Sequence, residues 1–251
     1  MGINSYICTM RKYLTIFSLL VATNAFPQKT DINSGQALIE AMYARYKNKW
    51  YPNVTFAQQA IFYKDGKVDK EEIWYEAVSG PNGLVIKLRD LNGGDGVMYA
   101  GDSQYVWRDN KLVTRAKRLN ELYVLGFTVY NDQPDITIAK LRGAGCNFEK
   151  FAADNSNGRK EYVVGEEGGP RFWIDREKLL FTRLQKKDAE GHIVEMQFNN
   201  YKRLEGGWIA AEVVFLRDGE ITFREIYRDI KASKKLPFDF VPTVDFSKLK
   251  W

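Results

Sequence analysis

The chain holds one histidine, His192, and two cysteines, Cys8 and Cys146. A thiol with an imidazole is the smallest pair here that could act as nucleophile and base. Cys146 falls at a loop edge and His192 follows Gly191 in a turn, with no local signature beside either. The pair is therefore read as unreactive. Zinc needs thiolates, imidazoles or carboxylates at ligand spacing, which one late Cys and one His do not supply. Asn92-Gly93-Gly94-Asp95-Gly96 has too few carboxylates for calcium. It also lacks the Lys-Ser/Thr end of a phosphate loop, and reads as a turn. Glu166-Glu167, or Asp188 with Glu190, could form a glycosidase carboxyl pair. Carboxylates are common on turns, so both sets are read as solvated. No catalytic residue, metal or cofactor is expected.

What remains is apolar. A large antiparallel sheet that curls can bury a helix on its concave face and leave a cavity there. By strand parity, Met98, Trp107, Ile174, Leu184, Met196, Phe198, Phe215 and Phe223 are the candidates to line it. For each residue singly, plain core packing is the readier reading. Methionine suits an adaptable pocket because it is flexible and polarizable. A perturbed carboxyl in a shared cleft would instead favour an enzyme.

The elements that must position these residues are mostly strands. NSGQALIEAMYARYKNK over 33–49 has helical apolar spacing, with Asn33 or Ser34 to cap it. Pro52 ends it by disfavouring helix at Tyr51. Strands are expected at Val54–Tyr63, Glu71–Val78, Leu84–Asp90, Val97–Ala100, Gln104–Arg108 and Leu112-Val113. Asn120–Tyr130 is an apolar segment, and Asp135–Gly143 reads as a short helix. Strands resume at Glu161–Val164, Arg171–Asp175, Leu179–Lys186, Ile193–Tyr201, Trp208–Leu216 and Ile221–Asp229. Turn signals such as Asp65-Gly66 and Asp218-Gly219 separate them, as in an antiparallel sandwich or barrel.

The first residues read as an address. Arg11-Lys12 precedes the apolar run Tyr13–Ala22 and the small residues Thr23 and Ala25, the pattern of a cleaved signal peptide. Met10 is the expected start, with residues 1–9 an upstream extension. The apolar run is half the length that a bilayer core requires. No Cys follows it for lipid anchoring, so an exported, soluble, unanchored protein is expected. Loss of Arg11 and Lys12 lowers the formal charge from +5 to +3. The remaining basic residues are scattered, which argues against a nucleic-acid surface.

Several stretches together resemble a known family. They are TFAQQAIFYKDGKVDKEEIWYEAVSGPNGLVIKL, GVMYAGDSQYVWRDNKLV, PDITIAKLRGAG, KEYVVGEEGGPRFWIDREKLLFTRL, FNNYKRLEGGWIAAEVVFLRDGE and the closing LPFDFVP. The most specific pieces are Phe172-Trp173-Ile174-Asp175 with Leu179-Leu180-Phe181, and Gly206-Gly207-Trp208. They are similar to the LolA-like periplasmic carriers related to outer-membrane lipoprotein-sorting proteins. The resemblance implies an α+β, mostly β fold: a curved antiparallel sheet, or half-open β-barrel, with helices covering the concave face. Residues 1–25 would be extension and signal, and 26–251 a single half-barrel domain. The implied ligands are lipid or lipoprotein acyl chains, with envelope proteins as further partners. The eight apolar residues above would then be lipid-binding. The rival reading is an adaptor that docks a protein through exposed Trp50, Tyr51 and Trp251.

Overall fold

A computed structural model describes residues 31–80, 82–156, 158–242 and 245–251. The signal-peptide reading of 1–25, and the expected domain start at 26, lie outside the described residues.

A chain with turn signals every few residues can satisfy its backbone only by folding back on itself, and it does so repeatedly. The strands are β1 (Asn53–Lys64), β2 (Lys67–Ser79), β3 (Gly83–Leu88), β4 (Gly96–Ala100), β5 (Ser103–Arg108) and β6 (Lys111–Lys117). They continue as β7 (Phe151–Asp154), β8 (Glu161–Val164), β9 (Arg171–Asp175), β10 (Phe181–Lys187), β11 (Ile193–Leu204), β12 (Gly207–Arg217) and β13 (Glu220–Ser233). All lie in one 13-stranded sheet of order β6-β5-β4-β3-β2-β1-β13-β12-β11-β10-β9-β8-β7. Neighbouring strands pair antiparallel. The edge strands β6 and β7 do not pair with each other, so the curved sheet stays open. Its centre is the pairing of β1 with β13, from Asn53↔Ser233 to Phe62↔Phe223. The Asp65-Gly66 turn joining β1 to β2 has φ of 51° and 70°, the left-handed geometry a two-residue hairpin favours.

The helices are α1 (Gly35–Tyr46), α2 (Glu121–Gly126) and α3 (Pro134–Gly143), with a 3-10 turn at Thr128–Tyr130. The Ser34 hydroxyl caps α1 by accepting from the Ala37 N–H at 3.1 Å. The helix buries Leu38, Ile39, Ala41, Met42 and Tyr46 against the main core. It stops earlier than its apolar spacing suggests. Asn48 turns left-handed at φ 63°, and the Trp50 N–H returns to the Tyr46 carbonyl at 3.0 Å.

That return corrects the adaptor reading. Trp50 and Tyr51 are only 5% and 3% exposed. Trp50 stacks between Tyr51, at 5.2 Å, and Tyr130, at 3.8 Å. A Cβ on Gly207 would stand 2.6 Å from the Trp50 ring, which is why a Gly-Gly pair precedes Trp208. Trp251 is half-buried, its ring 5.7 Å from Phe238. The three aromatics therefore form no surface patch.

A second cluster forms on the opposite side of the sheet. Phe246 and Leu249 of the C-terminal segment pack there on Val85, Met98, Tyr105 and Trp107. The buried Lys87 ammonium donates to the Phe246 carbonyl at 2.8 Å, and burial pulls its pKa down to about 8. Several strands also differ from the sequence reading, β2 beginning at Lys67 and β13 running on to Ser233 among them. β7 is additional, β6 runs on to Lys117, and β10 begins at Phe181 because Leu179 has φ 55°.

Candidate ligand cavity

Strand side chains alternate between faces, so the concave wall can be followed through the register. On β3, Leu84 and Ile86 face inward, opposite Val78 and Glu76 of β2. Leu84 also pairs with Tyr99 of β4. On the other half, Met196 of β11 pairs with Phe215 of β12, and Phe198 with Val213. Between the halves, β13 presents Glu225 and Tyr227. All of these but Val78 line a cavity of about 410 Å³.

Its cover is the segment from Arg118 to Phe127. The Asn120 side chain accepts from the Tyr123 N–H at 3.0 Å and starts α2. The Tyr123 hydroxyl lies 2.6 Å from the Ser79 carbonyl and 2.7 Å from that of Gly80, tying α2 to the end of β2. Gly126 brings α2 close to the sheet, since a Cβ there would stand 2.6 Å from the Phe198 ring. Exposed Arg118 and the Lys186–Glu121 ion pair sit among the lining at the partly exposed side. A second depression of about 280 Å³ shares Val194, Met196 and Phe215 with the cavity and continues toward Asp188 and Arg217.

Most of the wall is apolar or aromatic, but its floor holds two carboxyls. Glu225 accepts from Gln58 Nε2 at 3.3 Å and from the Tyr227 hydroxyl at 3.1 Å. Burial raises Glu225 to about 7, against the lowering by those two donors. Glu76 is also buried, and no described residue hydrogen-bonds to its carboxyl. Burial, followed by the charge of Glu225, raises it well above the ordinary carboxylate range.

Of the eight sequence candidates, Met196, Phe198 and Phe215 line the cavity. Ile174 and Leu184 lie in the main core on the same cluster, away from the lining. Phe223 packs at a tilt in an aromatic group with Phe62, Trp74 and Phe215, at 4.7, 5.5 and 5.2 Å. Met98 and Trp107 belong to the cluster on the opposite face, where Trp107 stacks on Phe246 at 4.6 Å. Parity alone cannot tell which of two apolar faces is which, and β4 and β5 have both. Glu76, Glu225 and Tyr227 went unrecognised from sequence. Their signal was a carboxyl at the inward parity of an otherwise apolar run, as in Phe223-x-Glu225-x-Tyr227.

The other chemical candidates lie apart from this cavity's lining. Cys146 is buried, its sulfur 3.9 Å from the Val164 carbonyl, and burial pushes the thiol up to about 12. His192 is exposed, with Nδ1 2.5 Å from Asp218. Asp188 pairs with Arg217 at 2.9 Å. Among the described residues, no helix is long and apolar enough to cross a membrane.

Together the sheet and cover define a LolA-like fold. A DUF1329 family protein from Desulfovibrio piger superposes with a TM-score of 0.53 at 14% identity, over 79% of this chain and 92% of that one. The LolA superfamily protein NE2245 from Nitrosomonas europaea gives 0.51 at 14% identity, over 82% and 96%. A domain named as an outer membrane lipoprotein-sorting protein from Vibrio parahaemolyticus gives 0.51 at 14% identity, over 80% and 93%. At that identity the likeness is one of fold. No protein-family model matches the chain, and no curated protein does.

Proposed function

We propose that the protein is an exported, periplasmic carrier that binds lipid or lipoprotein acyl chains between the sheet and α2, without making or breaking bonds. The observation that carries this reading is the mostly apolar cavity of about 410 Å³ beneath a short cover. It falls within the size range of small-ligand sites. The extension along Val194 and Phe215 suits an elongated ligand. A twelve-carbon chain would gain on the order of 9 kcal/mol gross by leaving water, of which association consumes at least about 4 kcal/mol. Such modest, non-directional binding suits handover. The sorting role named for the Vibrio domain, on the same fold, agrees with it.

One observation favours a second reading. Two carboxyls that hold their protons tightly in a cleft are an arrangement acid–base enzymes use. Against it, Glu76 has no partner among the described residues to orient it, whereas catalytic groups are held in place by neighbours.

The deciding experiment is native mass spectrometry with lipid extraction on protein purified from its own periplasm. Co-purifying acyl-chain mass is expected. A clean apo mass that takes up no added lipid overturns the carrier.

A further inference from the structure

A cavity built only for hydrocarbon has no use for a carboxyl. Burying one without a partner is costly, and a lining of leucine or phenylalanine would avoid that cost. Yet Glu76 and Glu225 stand on the concave face either side of β1, with Gln58 of β1 between them in the register: Gln58 lies opposite Trp74 on one side and Tyr227 on the other. Both carboxyls line the cavity.

Their satisfaction is uneven. Glu225 has two donors, Gln58 and Tyr227. Glu76 is 5% exposed, faces the cavity and has no donor among the described residues. The Gln58 Oε1 atom is fully buried with no hydrogen-bond partner among the described residues. With its carboxyls ionised the polar floor is short of hydrogen-bond donors, and the space adjoining it is the cavity itself.

We infer that the Glu76–Glu225 floor is a recognition site for a protonated nitrogen, so that the cargo is an amphiphile carrying an amine on the part that enters the cavity. The inference rests on the ligand-binding reading above and names its substrate class. An ammonium has three N–H donors and no acceptor, the complement of a donor-poor carboxyl pair. Charge-assisted hydrogen bonds are about twice as strong as neutral ones. A buried cation is tolerated where carboxylates meet it directly. Around it, Tyr99, Tyr227, Leu84 and Met196 supply apolar and aromatic surface for the attached chain. Burial disfavours the charged form of both carboxyls, and a cation between them offsets that cost.

The test is a calorimetric titration of the purified full protein at pH 7.5 with dodecylammonium, dodecanol and dodecanoate, each below its micelle concentration. Dodecylammonium should bind about tenfold more tightly than dodecanol, with dodecanoate weakest. Glu76→Gln keeps size and removes the charge, and should cut the amine-over-alcohol ratio to about threefold or less. The ligand series on the unaltered protein needs no variant, so a folding defect cannot blur the result. If dodecanol and dodecanoate bind as tightly as the amine, the amine site is wrong and the apolar carrier stands. If none of the three binds, both readings fall. A wild-type preference that persists in full in Glu76→Gln removes the carboxyl floor as its cause and overturns the inference.

Discussion

Trp50 lies flat on Tyr130, ring centroids 3.8 Å apart and planes inclined by 19°. The stack joins the end of α1 to the 3-10 turn that follows α2. The Tyr130 hydroxyl goes further and accepts from the buried Phe181 N–H at 2.9 Å, while the Tyr201 hydroxyl donates to the Phe181 carbonyl at 2.5 Å. Two tyrosines thus hold both backbone groups of Phe181, beside the irregular pairing of β10 with β9 between Phe181 and Arg183. Tyr130→Phe keeps the stack and leaves that N–H unpaired, so it should cost about 1–3 kcal/mol. Trp50→Ala leaves a cavity and should cost about 3–5 kcal/mol. Urea unfolding with an unchanged slope would report both; equal losses would show that the hydroxyl, not the packing, dominates.

The cover is fastened by two contacts of unequal worth. The Tyr123 hydroxyl reaches the carbonyls at the end of β2 in a buried setting, while Lys186 and Glu121 pair in partial exposure. Tyr123→Phe should therefore cost about 1–3 kcal/mol and speed amide exchange at Val124 and Leu125 first. Lys186→Met should cost less than about 1 kcal/mol, and less again in high salt. Exchange in α2 that is slow in Tyr123→Phe but fast in Lys186→Met would reverse this assignment.

Much of the fold was legible because local rules and tertiary demand agree. Asp65-Gly66 turns β1 into β2, Ser34 caps α1, and the strands from Glu161 onward stand close to their expected limits. Where they disagree, the sequence misleads. Lys111–Lys117 is an edge strand with almost no buried residue, so it has no apolar alternation to betray its length. Phe151–Asp154 is a short edge strand that buries none of its residues fully. Trp50 and Tyr51 follow a helix end and Pro52 precedes β1, so a loop exposure was expected; only the returning backbone and Gly207 place them inside. For the site, parity placed Met196, Phe198 and Phe215 on the cavity. It failed for Met98 and Trp107 because the C-terminal segment makes the opposite face apolar too. The carboxyl floor was hidden by treating charged residues as outward by default.

Gly126 sets the depth of the cavity. In a helix, alanine for glycine ordinarily stabilises by about 1 kcal/mol. Here the new methyl would meet the Phe198 ring, which is itself packed edge-to-face on Phe181 at 4.8 Å. Gly126→Ala should therefore destabilise by about 1–3 kcal/mol, through overpacking, and weaken dodecanol binding several-fold as Phe198 is pushed into the lining. Stabilisation with unaltered binding would mean that α2 sits free of the sheet.

The buried carboxyls also fix a pH dependence. Glu225 is raised from 4.5 to about 7 in the folded chain, and Glu76 is raised as well, in both cases chiefly by burial. The folded state therefore holds protons that the unfolded state has released. For Glu225 the destabilising effect is absent below about pH 4.5, grows between there and about 7, and is complete above it; that of Glu76 also opens above about pH 4.5 and grows as pH rises. Glu76→Gln removes one of the two groups without leaving a void. It should raise stability at pH 8 by about 1–2 kcal/mol, equivalent to a Tm about 2–4 °C higher for each kcal/mol. At pH 4 the variant and the parent should match, and the difference between them should open between those limits. Thermal melts at intervals from pH 4 to pH 8 measure it directly. A variant that loses stability at pH 8 would show that the Glu76 carboxylate is ionised and well paired in the folded protein, and the donor-poor floor would have to be abandoned.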